Sequence, residues 1–199
     1  MEHHEFWQKI ESYLRNYERA YTPVRWFREW GGLTRGRRGY FIFLRFVFLV
    51  GLYVAAFYLP LYAWSKISLT FIAIYLIADM FMLPTSIAFG GLPPMRPLRA
   101  LVFVFFNYIS ICIAFGVLYI TLCRSSFNIA PNLIDIAYFS CTTMTTLGIG
   151  DIHPARQTVL VKLLVIPEVL IGLYFWAVLV GMIIAWTLRE AKNETNLPK

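Results

Sequence analysis

The sequence predicts an all-α membrane protein with four transmembrane helices per subunit and a short re-entrant helix and loop between the third and fourth. Three observations lead there. The 199 residues are 59% hydrophobic and only 15% charged, where an ordinary soluble domain carries roughly 25% charged residues. The apolar residues come in runs of membrane-spanning length, not in the dispersed pattern of a water-soluble core. The basic residues gather on one side of those runs.

Residues 1–39 read as a cytoplasmic amphipathic and interfacial segment. Phe6, Ile10, Tyr13, Leu14, Tyr17 and Tyr21 recur at helical spacing, with Lys9, Glu11, Arg15, Glu18 and Arg19 between them. This is the pattern of a helix lying on the inner leaflet or packed on a partner chain. Trp26, Phe27 and Trp30 follow as an interfacial patch, then Gly31, Gly32, Gly36 and Gly39 among Arg35, Arg37 and Arg38 as a basic hinge. Most of the +7 formal charge sits between Lys9 and Arg38, where eight basic side chains face three acidic ones among aromatic residues, which fits anionic lipid headgroups. No nucleic-acid-binding motif accompanies it, so no nucleic-acid partner is expected. No early apolar stretch marks a cleavable signal.

Four spans follow, at about Tyr40–Tyr62, Ile67–Leu83 (ended by Pro84), Leu98–Leu122 and Val159–Leu188. A hydrocarbon core of ~30 Å needs roughly 17–25 helical residues, so each qualifies. Residues 40–97 form two peripheral spans with a cytoplasmic linker, 98–188 a second unit, and 189–199 a short cytoplasmic tail. With the N-terminus inside, thirteen basic residues lie on the inner side and four on the outer, Arg45 aside. The bias predicts a multi-pass protein of the plasma (inner) membrane with both termini cytoplasmic.

The stretch from Arg124 to Thr158 is too apolar for an external loop and too short for two more spans. Pro131–Asn132 followed by Leu133, Ile136, Ala137, Phe139 and Ser140 predicts a short helix starting near residue 132. Thr142, Thr143, Thr145 and Thr146 then lead into Leu147, Gly148, Ile149, Gly150 and Asp151. Extended backbone at membrane depth survives only if buried in protein or lining an aqueous path. Carrying a dehydrated cation requires oxygens that replace its water. Stacked backbone carbonyls do this if successive residues alternate between left- and right-handed conformations. Glycine enters the left-handed region freely, whereas other residues lose about 1–2 kcal/mol each. Gly148 and Gly150 occupy the alternate positions. Leu147 and Ile149 are expected to point outward against the short helix, which directs its partly negative C-terminal end at the pathway.

The threonine run, the two glycines, the aspartate, the half-helix and the two flanking spans together resemble the pore-loop potassium channels, whose filter reads T-V-G-Y-G. The resemblance covers about Leu98 to Leu188 and is closest over Ile136–Pro154. It implies a pore domain of outer helix, pore helix, selectivity-filter loop and inner helix. It further implies K⁺ bound by carbonyls of Thr146, Leu147, Gly148 and Ile149, with the Thr146 hydroxyl contributing and Gly150 completing the filter. Asp151 would brace the filter at its outer mouth, with Thr145 and Glu168 as further support. Glu168-x-x-x-Gly172 resembles the family pattern of an acid behind the filter followed by a hinge. Pro167 removes a helix hydrogen bond beside it, and Gly181 is a second weak point. The alternative role for Gly172 is close helix packing. Leu147 stands where the family has valine, and Ile149 where it has tyrosine, which removes a tethering hydroxyl.

The resemblance implies a homotetramer conducting K⁺ passively. The alternatives are a weakly selective cation pore, or a non-conducting scaffold or regulatory subunit that keeps the fold. Arg45 and Asp79 fall at similar depth in the first two spans and are expected to pair, the alternative for Arg45 being simple snorkelling to the headgroups. Only Arg96 and Arg99 show the spacing of a voltage-sensing helix, so such a sensor is not expected. His3 and His4 read as solvated, and His153 as a loop histidine near the filter. Cys112, Cys123 and Cys141 lack metal-ligand or disulfide spacing. No nucleophile–base set, phosphate loop or metal cluster appears, so neither enzyme activity nor a cofactor is expected. About eleven residues follow the last span, so no fused ligand-binding domain is expected on the inner helix. Regulation is left to lipid, tension, pH, the N-terminal segment or a separate regulatory subunit.

Overall fold

The computed structural model describes residue 12 and residues 37–60, 62–88, 97–155 and 159–195. The amphipathic segment, its aromatic patch, Arg96, Arg156 and the last four residues lie outside the described residues. The architecture is all-helical, with a single isolated β-bridge between Phe127 and Pro154 among the described residues.

Helix α1 spans Arg37–Tyr58, α2 Ala63–Ala88 and α3 Pro97–Leu118. The last is extended by a π-helical turn at Tyr119–Cys123 and a 3₁₀ turn at Arg124–Ser126. The short α4 covers Leu133–Met144, and α5 runs over Val159–Thr195. Three segments are long and apolar enough to cross a membrane: Ala63–Met82, Leu101–Ser126 and Val159–Leu188. In α1 the corresponding stretch is the shorter Phe43–Tyr58, although its 22 helical residues span about 33 Å.

Helix boundaries differ from the expected spans for local reasons. Helix α1 stops at Tyr58 rather than near Tyr62, because Pro60 forces Leu59 out of helical conformation. Helix α2 continues through Pro84 to Ala88 instead of ending there. One lost backbone bond does not end a long helix, and the Thr85 hydroxyl donates to the Phe81 carbonyl at 2.8 Å one turn back. Helix α5 likewise passes Pro167 and extends to Thr195, beyond Leu188.

Helix α3 is the hub, touching all four other helices. Its buried face carries Val104, Ile111, Ala114, Phe115 and Val117. Helix α1 comes close at Gly116, where an added Cβ would lie 2.7 Å from the Tyr53 ring. Several polar contacts join the first two helices to the rest. Arg45 of α1 forms an ion pair with Asp79 of α2 at 2.7 Å and also donates to Asn107 of α3. Tyr53 of α1 donates to the Leu133 carbonyl of α4 at 2.6 Å, and Tyr174 of α5 donates to Thr85 of α2 at 2.7 Å. In hydrocarbon such polar side chains have few other partners, so they fix helix register.

Candidate functional site: the loop behind α4

Helix α4 starts with a reciprocal cap. The Asn132 side chain accepts from the Asp135 N–H at 2.9 Å, and the Asp135 carboxylate accepts from the Asn132 N–H at 2.9 Å. Ile136, Phe139, Ser140 and Met144 are buried along one side. Behind the helix, the rings of Tyr119, Phe127 and Phe139 meet edge to face with centroids 5.0–6.0 Å apart.

At its C-terminal end the chain turns back. Thr145 N–H donates to the Cys141 carbonyl and Thr146 N–H to that of Thr143, both at 3.0 Å. The Thr142 carbonyl accepts from Leu147 N–H at 2.8 Å and Gly148 N–H at 3.2 Å. Beyond this turn the backbone alternates. Thr146, Gly148 and Gly150 have φ of +59°, +51° and +84°, and no other described residue has a positive φ. A left-handed β-branched threonine is an outlier, so the alternation reaches one residue further than glycine alone would carry it. This is the alternation of positive φ that the sequence spacing of Gly148 and Gly150 predicts.

The side chains around this loop sit as follows. Leu147 and Ile149 are 66% and 58% exposed, so neither braces the loop against α4 within one chain. The physical reason is that the loop stands proud of its own subunit: every residue from Thr145 to Asp151 is exposed. The Thr146 hydroxyl donates to the Thr145 carbonyl at 2.6 Å, and the Thr145 hydroxyl to that of Cys141 at 2.7 Å. The Asp151 carboxylate interacts with the Tyr138 hydroxyl of α4.

Asn128 clasps the segment after the loop. Its N–H donates to the His153 carbonyl, and its side-chain oxygen accepts from the His153 N–H, both at 3.0 Å. Its amide donates to the Asp151 carbonyl at 3.1 Å, while His153 Nδ1 lies 3.1 Å from the Gly150 carbonyl.

Glu168 of α5 is fully buried behind α4. It accepts from the Tyr119 hydroxyl at 2.5 Å and lies 2.5 Å from Ser140 Oγ. Ser140 Oγ is also 2.8 Å from the Cys112 carbonyl, so one hydroxyl proton serves two neighbours. The acid thus ties α3, α4 and α5 together. One turn on, a Cβ at Gly172 would collide with the carbonyl oxygen of Met144, the last residue of α4. Gly181 has open space around it. Asn128, Tyr119 and Asn107 were not singled out from sequence. Tyr119 and Asn107 had a signal, as polar residues inside an apolar run. Asn128 had none, since nothing local marks which loop asparagine clasps a distant segment.

Comparison with known proteins places this geometry. Residues 107–189 match the ion-channel family, from Asn107 in α3 to Arg189 in α5. Over 83 residues, 41% of the chain, the sequence is 35% identical to the two-pore potassium channel 2 of Arabidopsis thaliana. The match spans 18% of that protein's length. No solved structure matches. Residues 107–189 are thus similar to an ion-channel pore segment, and the chain spans less than a fifth of the length of the potassium channel it matches.

Proposed function

We propose that this ion-channel pore domain conducts K⁺ selectively and passively, as a homotetramer whose four loops enclose one axis. The alternation of positive φ at Thr146, Gly148 and Gly150, just beyond the C-terminal end of α4, carries the reading. Carbonyls of Thr146, Leu147, Gly148 and Ile149 ligate the ion, with the Thr146 hydroxyl at the inner mouth and Gly150 closing the filter. Asp151, Thr145 and Glu168 hold the filter in place. The exposure of Thr145 to Asp151 supports an assembly in which neighbouring copies cover Leu147 and Ile149. A carbonyl cage needs several loops, and closed cyclic symmetry supplies them. The relative's name, a potassium channel, points to the same ion.

The chain divides into a cytoplasmic segment at 1–39, two peripheral helices and a linker at 40–97, the pore domain at 98–188 and a tail at 189–199. Both termini face the cytoplasm across the plasma (inner) membrane. The Arg45–Asp79 pair pins the peripheral helices to each other. Gating bends α5 near Pro167 and Gly172, with Gly181 a second flexible point, and lipid or a separate regulatory subunit biases that bend.

Purified chain in vesicles tests conduction. Potassium efflux should depend on the protein and disappear in Gly148→Ala, whose folded fraction remains high. Absence of efflux from the unaltered chain under every voltage and pH would favour a non-conducting scaffold. A second reading, a weakly selective cation pore, is favoured by one observation: Ile149 carries no hydroxyl to tether the filter.

A further inference from the structure

A cavity of about 1140 Å³ opens between the end of α1, the start of α2, the π-helical turn of α3 and the loop that leads to α4. Phe57, Ile120 and Leu122 give it an apolar wall, while Lys66 and Arg124 give it two cations. Among the described residues no acidic side chain lines it. The Arg124 guanidinium lies 3.9 Å from the Phe57 ring centroid and donates one hydrogen bond to the Phe57 carbonyl at 3.2 Å. That stacking fixes the plane of the guanidinium and leaves its other N–H groups for a further acceptor. Lys66 is exposed and forms no ion pair among the described residues.

The level of the cavity in the membrane follows from its neighbours. Tyr58, Tyr62 and Trp64 are all exposed around the α1–α2 turn. Exposed tyrosine and tryptophan at helix ends mark the headgroup layer. Lys66 and Arg124 therefore sit where lipid phosphates lie, above a wall that matches acyl chains.

We propose that this cavity binds an anionic phospholipid, with the headgroup phosphate between Lys66 and Arg124 and the acyl chains along Phe57, Ile120 and Leu122. The charge is complementary, the volume accommodates a headgroup and glycerol, and the exposed tyrosines and tryptophan put the opening at headgroup depth. Asn128 also lines the cavity and clasps Asp151 and His153, so an occupied site shares a wall with the outer mouth of the filter loop.

The test is lipid binding to the full chain in neutral detergent, which reads nothing of conduction. Phosphatidylglycerol and phosphatidylcholine with the same acyl chains are titrated, and bound lipid is counted by native mass spectrometry. Saturable binding of one lipid per chain is expected, with phosphatidylglycerol favoured about tenfold. Lys66→Gln and Arg124→Gln should each erode that preference, and the double variant should abolish it. Lys162→Gln, an exposed cation outside the cavity, should leave it intact. If Arg124→Gln does not fold, Arg124→Lys keeps the charge, and Lys66→Gln alone still tests the site. No headgroup preference, or a preference unmoved by Lys66→Gln and Arg124→Gln, would overturn the proposal. So would an equal loss in Lys162→Gln, or displacement of the lipid by inorganic phosphate.

Discussion

Thr146 carries more of the account than either glycine. Its φ of +59° puts a β-branched residue in the left-handed region, and the Thr142 carbonyl holds the turn that follows. Strain of that kind persists where the surroundings over-determine it. At Gly148, with φ of +51°, an added Cβ meets no neighbour, so alanine acts through the backbone alone. Gly148→Ala is expected to cost about 1–2 kcal/mol per subunit and to stop ion flux while the helices remain folded. Circular dichroism and vesicle flux on the same sample check both halves. Glu168 offers a sharper contrast. Glutamine keeps an acceptor for Tyr119 and a donor towards Ser140, so Glu168→Gln should melt near the unaltered protein. Glu168→Leu orphans the buried Tyr119 hydroxyl, for about 1–3 kcal/mol, and should lower the melting temperature clearly. Equal melting of the two variants would show that this hydrogen bonding contributes nothing.

Among the elements, α3 organises the molecule and α5 carries the proposed hinge. Arg45, Asp79 and Asn107 join α1, α2 and α3 in one buried polar cluster. Asp79→Asn leaves the guanidinium without a counter-charge and should destabilise the fold by about 3–5 kcal/mol in thermal unfolding. An unchanged melting curve would mean that Arg45 finds its solvation elsewhere. In α5 the two glycines separate two effects. Gly172→Ala should displace α4 through the Met144 carbonyl, so its effect on opening says nothing about bending. Gly181→Ala has room, and single-channel records should show a lower open probability if that point flexes. Much of this layer was legible in the sequence: apolar runs give the long helices, and Pro131–Asn132 before an apolar stretch gives the start of α4. The helix ends were less so, because Pro60 ends a helix while Pro84 and Pro167 do not. Whether a helix continues past its proline depends on the tertiary packing around it, which is set by residues distant in sequence. The clasp at Asn128 was illegible for the same reason.

At the scale of the whole molecule, the proposed ion site needs more than one chain. The loop from Thr145 to Asp151 is exposed, and one set of carbonyls cannot surround an ion. Mass measurement in detergent should therefore find particles of four 23.1 kDa chains. A monomer that still conducts would contradict the shared axis. Glycine spacing and the threonine run made the position of the loop readable, whereas the outward exposure of Leu147 and Ile149 was not. In the proposed assembly, other copies supply the surfaces that cover them. Ion choice also belongs here, since it depends on the width and stiffness of the complete ring of carbonyls. The most direct test is the reversal potential of purified protein in a planar bilayer, with potassium on one side and sodium on the other. Selective conduction should displace the reversal strongly towards the potassium equilibrium potential. Current that reverses near zero would contradict selective conduction through Thr146–Gly150.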